Sequence, residues 1–333
     1  MPISFVLCLV GYFGSDYVFE PWIHAPPPGK ESWLTVDRVY ALDLSILAVL
    51  TVLTLMFLKA SVRPALKGYA DRATLAKGLF ESWARNWKGD EEEAESSEKR
   101  LKTLAPIIAL IYVFGYTVIG YDQVMSLEPT WFSTMFGWYF DWGGWLSAIC
   151  ATALIAVLLR NSPGWEQQIT RARMHDLGKM IFAFSIFWMY LFFAQYIVIW
   201  YGNLPEETQW LQTRLGSQFL QDTWYWVFSR LDEPYVKLSM TAWAFCWWVP
   251  FWVLLGQEPK KTPGILGTVA FTVLVGFWLE RNALIWPALA PENGAAWFGG
   301  IQIGIALGFL GAFSLVYLTY SRIFPTLLVP KSE

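Results

Sequence analysis

The chain has 333 residues, of which 55% are hydrophobic and only 15% are charged, and its formal net charge is −3. A soluble protein of this length needs more charge to cover its surface, and the 21 tryptophans are typical of chains whose aromatic side chains gather at membrane interfaces. The composition therefore excludes a soluble globular protein and predicts an all-α, polytopic transmembrane helix bundle.

Apolar stretches near the length of about 20 residues that a membrane-spanning helix needs occur seven times along the chain. They cover residues 39–58, 104–120, 131–159, 180–201, 238–256, 264–287 and 295–321. An eighth stretch, residues 2–15, is short, and a signal peptide is the alternative, but it has neither a basic start nor a small-residue cleavage site. We therefore predict eight spans in one integral-membrane domain covering residues 1–333.

Two of these spans carry signals about packing. Pro250 lies inside the span 238–256 and predicts a kink, because proline interrupts helical hydrogen bonding. Gly300, Gly304 and Gly308 recur every four residues in the last span. Such small residues let another helix approach closely, so we read them as a packing feature.

Lysine and arginine are unevenly distributed between the loops on the two sides of the predicted membrane. With the N-terminus inside, 18 of them lie on the inner side and six on the outer side. Without the ten in the long inner loop the count is eight against six. Because positively charged loops remain in the cytoplasm, we predict a multi-pass protein with both termini cytoplasmic.

The inner loop, residues 60–103, has two distinct parts. Its first part predicts a helix on the membrane surface, because five large apolar residues share one helical face. The run DEEEAESSE at 90–98 is most simply a solvated linker. The apolar face consists of Leu75, Leu79, Phe80, Trp83 and Trp87.

The outer loop, residues 202–235, is also patterned. Leu211, Leu215 and Phe219 follow one another at four-residue spacing, and the aromatic run WYWVF comes at 224–228. This pattern predicts a second interfacial helix or a docking surface for a partner on the outer face.

Several polar side chains lie inside the predicted spans, where a charged group costs at least ~2.5–3.5 kcal/mol. Counted at about 1.5 Å per residue, all of them fall in the outer half of the membrane. Facing one another, they would form a polar pocket or a proton path, with Arg281 paired to Asp141 or Asp122. The alternative is a structural ion pair with interfacial caps. The set is Asp43, Asp122, Asp141, Gln195, Glu280, Arg281 and Gln302.

His175 and Asp176 stand at the opposite, cytoplasmic start of the span 180–201. Asp176 is either the N-cap of that helix or, with His175, part of an entrance for protons, since histidine exchanges protons near neutral pH. Gln195, deeper in the same span, hydrogen-bonds either a neighbouring helix or a quinone carbonyl.

Few residues in the sequence have the chemistry to bind a metal. The three cysteines are far apart in apolar stretches, and neither of the two histidines lies in the middle of a span. Without CxxC or CxxCH, covalent haem, iron–sulfur clusters and a disulfide framework all lack support, and a bis-histidine haem lacks ligands. We expect this chain to bind no metal or haem.

Two motifs resemble a known family. YDQVMSLEPTWFSTMFGWYF at 121–140 and HDLGKMIFAFSIFWMYLFFAQYIVIWYGNLPEE at 175–207 are similar to the ActF membrane subunits of bacterial alternative complex III. Those subunits in turn resemble the NrfD-like membrane subunits of polysulfide and related reductases. The resemblance extends over about residues 100 to 215, and LERNALIWP at 279–287 agrees more weakly.

The resemblance implies a ten-helix subunit built around two four-helix bundles in the bacterial inner membrane. Eight visible spans are expected if N-terminal helices are missing from the sequence. It also implies a quinol:electron-acceptor oxidoreductase whose haem c and iron–sulfur clusters lie in partner subunits. The expected partners are a sister NrfD-like subunit, an iron–sulfur subunit, cytochrome c subunits and lipids, and no nucleic acid.

We therefore expect a non-redox membrane subunit, not catalytic alone, that anchors its partners and contributes a proton path. Quinone or menaquinone binding to this chain stays open. The alternatives are a stand-alone proton- or ion-coupled transporter and a purely structural anchor. Proton-path candidates are Asp122, Glu128, Asp141, His175, Asp176, Glu280 and Arg281, and quinone-site candidates are Gln195, Tyr196 and Gln302.

Overall fold

The structure, a computed structural model, describes residues 2–66, 77–162, 165–216, 233–289 and 299–323. It is all-helical, with 82% helix, and these residues form fourteen α-helices. The first seven are α1 (Pro2–Tyr12), α2 (Ser15–Val18), α3 (Glu20–Ile23), α4 (Val36–Val62), α5 (Lys77–Trp83), α6 (Asp90–Gln123) and α7 (Phe136–Leu159). The others are α8 (Arg171–Gly202), α9 (Pro205–Leu215), α10 (Pro234–Trp243), α11 (Val249–Val253), α12 (Gln257–Lys261), α13 (Pro263–Leu289) and α14 (Gly300–Ile323). Short 3₁₀ turns follow α4 and α6, at Arg63–Ala65 and Met125–Leu127.

Six of these helices, α4, α6, α7, α8, α13 and α14, are long and apolar enough to cross a membrane. They coincide with six of the predicted spans and indicate a multi-pass membrane protein. The predicted count of eight is not confirmed. The stretch 2–15 contains α1, which has 11 residues, and the stretch 238–256 is divided between α10, a π-helical segment and α11.

The irregularity at Pro250 is a π-helical segment, Ala244–Trp248, that joins α10 to α11. The amide of Val249 donates to the carbonyl of Ala244, five residues back. Proline has no N–H to donate, and its ring collides with the carbonyl four residues earlier, here that of Cys246. Widening the turn before the proline relieves both problems, so the predicted interruption takes the form of a π segment.

The core lies where α7, α8, α13 and the π segment meet. Among the described residues, α7 packs against α6, α8 and α13, α4 packs against α6, and α10 packs against α13. Trp131, Phe136, Leu146, Ile181 and Leu211 are all at most 2% exposed in one connected cluster. This core positions the polar ends of α7 and α13 side by side.

Helix α14 stands apart from this core. None of its most apolar 18-residue window is buried, and Ile301, Leu307 and Leu310 are mostly exposed. A Cβ atom placed on Gly300, Gly304 or Gly308 meets no atom within 4 Å. The predicted close helix approach at these glycines is therefore not made within the described part of this chain.

The acidic run 90–98 is helical, which corrects the prediction of a linker. It forms the first turns of α6, a helix of 34 residues. Lysine partners one turn away stabilise it, as in the pair Glu95–Lys99 at 2.7 Å. Glu93 is buried and forms an ion pair with Arg63, whose Nε lies 2.6 Å from Oε2 and whose Nη2 lies 2.9 Å from Oε1. This pair connects α6 to the segment that follows α4.

In the rest of the inner loop, the predicted surface helix corresponds to the short helix α5. Trp83, at its end, packs against the small cluster formed by Val62 and Leu66. Leu75 lies outside the described residues, as do Phe219 and the aromatic run 224–228 of the outer loop.

Candidate functional site

The helix bounds place four intramembrane polar residues at one end of the bundle. Asp43 lies about 10 Å after the start of α4, and Asp141 lies about 8 Å after the start of α7. Gln195 lies about 10 Å before the end of α8, and Glu280 lies about 14 Å before the end of α13. All four are at most 3% exposed. The four residues are therefore buried at similar depth, but they do not share one pocket, because Asp43 pairs with Gln123, Gln195 with Ser133 and Glu280 with Arg281.

Arg281 joins α13 to α7 at this depth. Its Nη1 lies 3.2 Å from Oε2 of Glu280, and its Nη2 donates to the carbonyl of Phe140 at 2.8 Å. The guanidinium also stacks on the Phe140 ring, 4.0 Å from its centre. The predicted pairing with Asp141 or Asp122 is wrong, because the guanidinium takes the carboxylate of its own neighbour and a backbone carbonyl.

A glycine makes this approach possible. A Cβ atom on Gly143 would lie 2.9 Å from Nη2 of Arg281 and 2.9 Å from the ring of Phe277. Asp141, two residues earlier, forms no ion pair within the described residues, and its Oδ1 is buried without a hydrogen-bond donor. The charge of Arg281 nevertheless attracts both Asp141 and Glu280.

Glu280 lines a small internal cavity of about 40 Å³. Its carboxyl group is buried, with Oε2 in the ion pair with Arg281, and the buried hydroxyl of Ser239 lies in the same wall. Tyr139 and Arg214 complete the polar lining. By volume the cavity has room for up to about three water molecules at about 10–15 Å³ each, and most of its wall is apolar.

Arg214 is a buried residue of this candidate site that was not predicted from the sequence, where it counts only as a charge of the outer loop. It is 4% exposed, and its Nη2 lies 2.7 Å from Oε1 of Glu128. Burial lowers the pKa of Arg214, and the carboxylate of Glu128 opposes that shift. Arginine remains charged under such conditions, so Arg214 is a fixed cation.

The backbone of α13 supplies the other partners of this guanidinium. Its Nε donates to the carbonyl of Ala283 at 3.0 Å and its Nη2 to that of Leu284 at 3.0 Å. Pro287 lies inside α13 and has no N–H for the carbonyl four residues before it, which is that of Ala283. Arg214 therefore replaces a helical hydrogen bond that the proline removes.

A sequence signal for Arg214 did exist. It lies between Leu211 and Leu215 on α9, which are 0% and 4% exposed, and one turn after Trp210, on whose ring it stacks at 4.0 Å. An arginine on the apolar face of a short helix is unusual. That face packs into the bundle rather than lying at the interface as predicted.

Glu128 connects this buried group with the surface. Its side chain is 25% exposed and lines an open pocket of about 280 Å³ together with Glu206 and Thr213. The cavity at Glu280 reaches Arg214, and Arg214 contacts Glu128. Glu280 and Arg214 therefore line one cavity, and the Arg214–Glu128 ion pair leads from that cavity to one end of the bundle.

Asp122 belongs to a separate cluster. Its Oδ1 accepts from Nη1 of Arg38 at 2.7 Å and from Nε1 of Trp33 at 3.0 Å. The guanidinium of Arg38 lies 3.5 Å from the centre of the Trp33 ring. Neither partner was predicted from the sequence. Asp122 therefore closes the end of α6 as one half of an ion pair.

The three quinone-site candidates have different neighbours in the structure. Oε1 of Gln195 accepts from the hydroxyl of Ser133 at 3.2 Å, while its Nε2 is buried without a partner there. Tyr196 is half-buried and its ring stacks on Phe193. Gln302 lies on the peripheral helix α14, with its side chain against Gly299.

His175 and Asp176 lie at the other end of the bundle, about 30 Å along α8 from Gln195. The N-cap of α8 is Thr170, whose hydroxyl accepts from the amide of Arg173 at 3.3 Å, so the capping role suggested for Asp176 is wrong. Asp176 instead pairs with Lys179 at 2.7 Å, and both are mostly exposed.

Neither a protein-family model nor a curated protein matches this chain. Within the described part of the chain, no group of three or more histidine, cysteine, aspartate or glutamate side chains is placed to hold a metal ion. The buried polar groups described above are therefore the features that point to a function.

Proposed function

We propose that this chain is a non-redox membrane subunit that conducts protons between Glu280 and the membrane surface at Glu128. The observation that carries the proposal is the cavity at Glu280. Glu280, which is buried and paired with Arg281, lines the same small cavity as Arg214, and the ion-pair partner of Arg214 opens to the surface. An acid inside a membrane is costly, and proton relays are one function that retains such a group.

Each group has a defined part in this route. Glu280 accepts and returns the proton, and water in the cavity carries it past Tyr139 and Ser239. Arg214 cannot give up its own proton, so it holds the carboxylate of Glu128 in place, and the proton reaches that carboxylate on water that passes beside the guanidinium. Glu128 then exchanges the proton with water in the open pocket.

Arg281 regulates how readily the buried acids carry charge. Its guanidinium lies 3.2 Å from Oε2 of Glu280, and an opposite charge at such a distance favours the ionised form of a carboxyl group. Since Asp141 has its own unpaired oxygen, we assign it as the second proton-accepting group of the route.

The assembly in which such a subunit works is proposed from the resemblance of residues 121–140 and 175–207. We place it in a quinol-oxidising complex of the bacterial inner membrane, with both termini cytoplasmic and with α10 to α11 and α1 as the seventh and eighth spans. Partner subunits supply the iron–sulfur clusters and haem c. Quinol oxidation releases protons, and the route ending at Glu128 gives them an exit.

The test uses the purified complex. Glu280→Gln and Asp141→Asn remove the titrating groups with little change of shape, and Glu258→Gln, in an exposed side chain of α12, is the matched control. Because positioned proton transfer contributes about 10²–10⁴-fold, we expect Glu280→Gln to reduce turnover and proton release by at least tenfold, with the control unchanged.

The outcomes separate the alternatives. Normal turnover and normal proton release in both variants would refute the route. Loss of assembly without any change in the activity of the assembled fraction would identify a structural anchor. Proton or ion transport by the chain reconstituted alone would identify a stand-alone carrier.

A further inference from the structure

The internal cavity at Glu280 and the open pocket at Glu128 have one wall in common. Trp210 lines both spaces, and no other described residue does so. It is 4% exposed and lies on α9, one turn before Arg214. The indole of Trp210 therefore stands between an internal space of about 40 Å³ and a pocket of about 280 Å³ that opens to the surface.

Stacking contacts hold this ring in its place. The ring of Trp131 lies nearly parallel to it, with the two centroids 4.3 Å apart and an angle of 9° between the planes. The guanidinium of Arg214 lies 4.0 Å from the centre of the Trp210 ring, and Phe136 meets the ring edge to face at 6.1 Å. The indole cannot turn without loosening these contacts.

Such a ring controls whether water can pass between the two spaces. A constriction formed by apolar side chains excludes water, and this is one of the ways in which membrane channels close. Aromatic stacking and cation–π contacts each stabilise the closed position of Trp210. Because both are lost when the ring moves aside, the open arrangement is rarer than the closed one by about tenfold or more.

We infer that the indole of Trp210 is a gate for water between the cavity at Glu280 and the outer pocket. While the ring is closed, Glu280 is separated from surface water, and when the ring moves aside, water joins Glu280 to Glu128. The role of the gate rests on the proposed function, since a proton route that stayed open would conduct independently of turnover. Its closure is a property of water access and is measured without turnover.

The test follows water into the cavity. The purified complex is mixed rapidly with water enriched in a heavy oxygen isotope, and a short X-ray pulse then converts water near each side chain into hydroxyl radicals. Mass spectrometry reads the isotope in the hydroxylated rings. Tyr139 is 3% exposed and lines the cavity, so it reports on internal water, whereas Tyr17 is 88% exposed and reports on bulk water. We expect the isotope to reach Tyr139 at least about tenfold later than Tyr17.

Substitutions of the gate test its identity. Trp210→Ala removes the ring, and we expect the tenfold delay at Tyr139 to disappear. Trp210→Phe keeps a smaller ring that still packs on its neighbours, and we expect a shorter delay than in the native chain. Trp200→Phe is the matched control, because Trp200 lines neither space, and it should keep the full delay.

The native chain alone can overturn the inference, so the test does not depend on the folding of a variant. Simultaneous arrival of the isotope at Tyr139 and Tyr17 would show that no gate is closed, and an unlabelled Tyr139 would show that the cavity holds no exchanging water. An unchanged delay in both Trp210 variants would also contradict the gate. Failure of the proposed function looks different, because Glu280→Gln would then turn over normally while the delay still depended on Trp210.

Discussion

Replacing Arg214 by methionine tests whether a fixed buried cation holds α9, α13 and Glu128 together. Methionine keeps most of the side-chain length and its packing on the Trp210 ring, but none of the hydrogen bonds. The carbonyl of Ala283 then has neither Arg214 nor, because of Pro287, a helical donor. The substitution therefore removes one ion pair and leaves a buried acceptor unsatisfied.

The magnitude follows from these two losses. Removing one partner of a buried ion pair costs about 3–5 kcal/mol. An unsatisfied buried acceptor costs about 1–3 kcal/mol, but the two costs do not simply add, because the cost for the ion pair already includes part of the cost of the lost hydrogen bonds. Glu128 is 25% exposed, so water can restore some of its solvation. We expect the free energy of unfolding to fall by about 3–4 kcal/mol, near the lower end of the range for ion pairs.

The assay is an unfolding titration with sodium dodecyl sulfate in mixed micelles, analysed by linear extrapolation. The matched control is Arg173→Met, which removes an exposed arginine at the start of α8 and should change little. A loss for Arg214→Met no larger than for the control would refute the reasoning. It would mean that α9 packs by its apolar face alone.

Two further contacts give expectations of the same kind. Gly143→Ala puts a Cβ atom 2.9 Å from Nη2 of Arg281, and we expect a loss of about 1–3 kcal/mol in unfolding free energy, whereas Gly304→Ala, in open space, should cause none. Equal effects would show that α7 and α13 separate freely. Arg38→Met leaves Asp122, whose side chain is 0% exposed, without its cation, and we expect a loss of about 3 kcal/mol. Adding Asp122→Asn should recover part of it, and a larger loss in the double variant would argue against the pair.

The depth of the polar residues was predictable from the sequence. Asp141 and Glu280 interrupt apolar stretches, and the constant rise per residue converts their position into depth. The sequence also indicated that both must be sheltered from lipid, since exposure there is costly. In the structure they are 2% and 3% exposed.

The partners of these groups could not be predicted in the same way. Arg281 turns to Glu280 beside it in the sequence, Asp122 takes an arginine from α4, and Arg214 folds back from α9 onto α13. Each choice depends on which helix is the neighbour and on which way each face is turned. Neither the neighbouring helix nor the orientation of each face can be predicted from hydropathy or from residue spacing along a single helix.

The sequence by itself determined that this chain forms long apolar helices and that its buried acids lie near one level. Both properties are local, because they depend on the composition and rise of one segment. Only the tertiary structure decided that Glu280 faces a cavity shared with Arg214, and that Gly143 leaves room for Arg281 between two helices. Those properties are contacts between distant segments, and they exist only once the helices have packed.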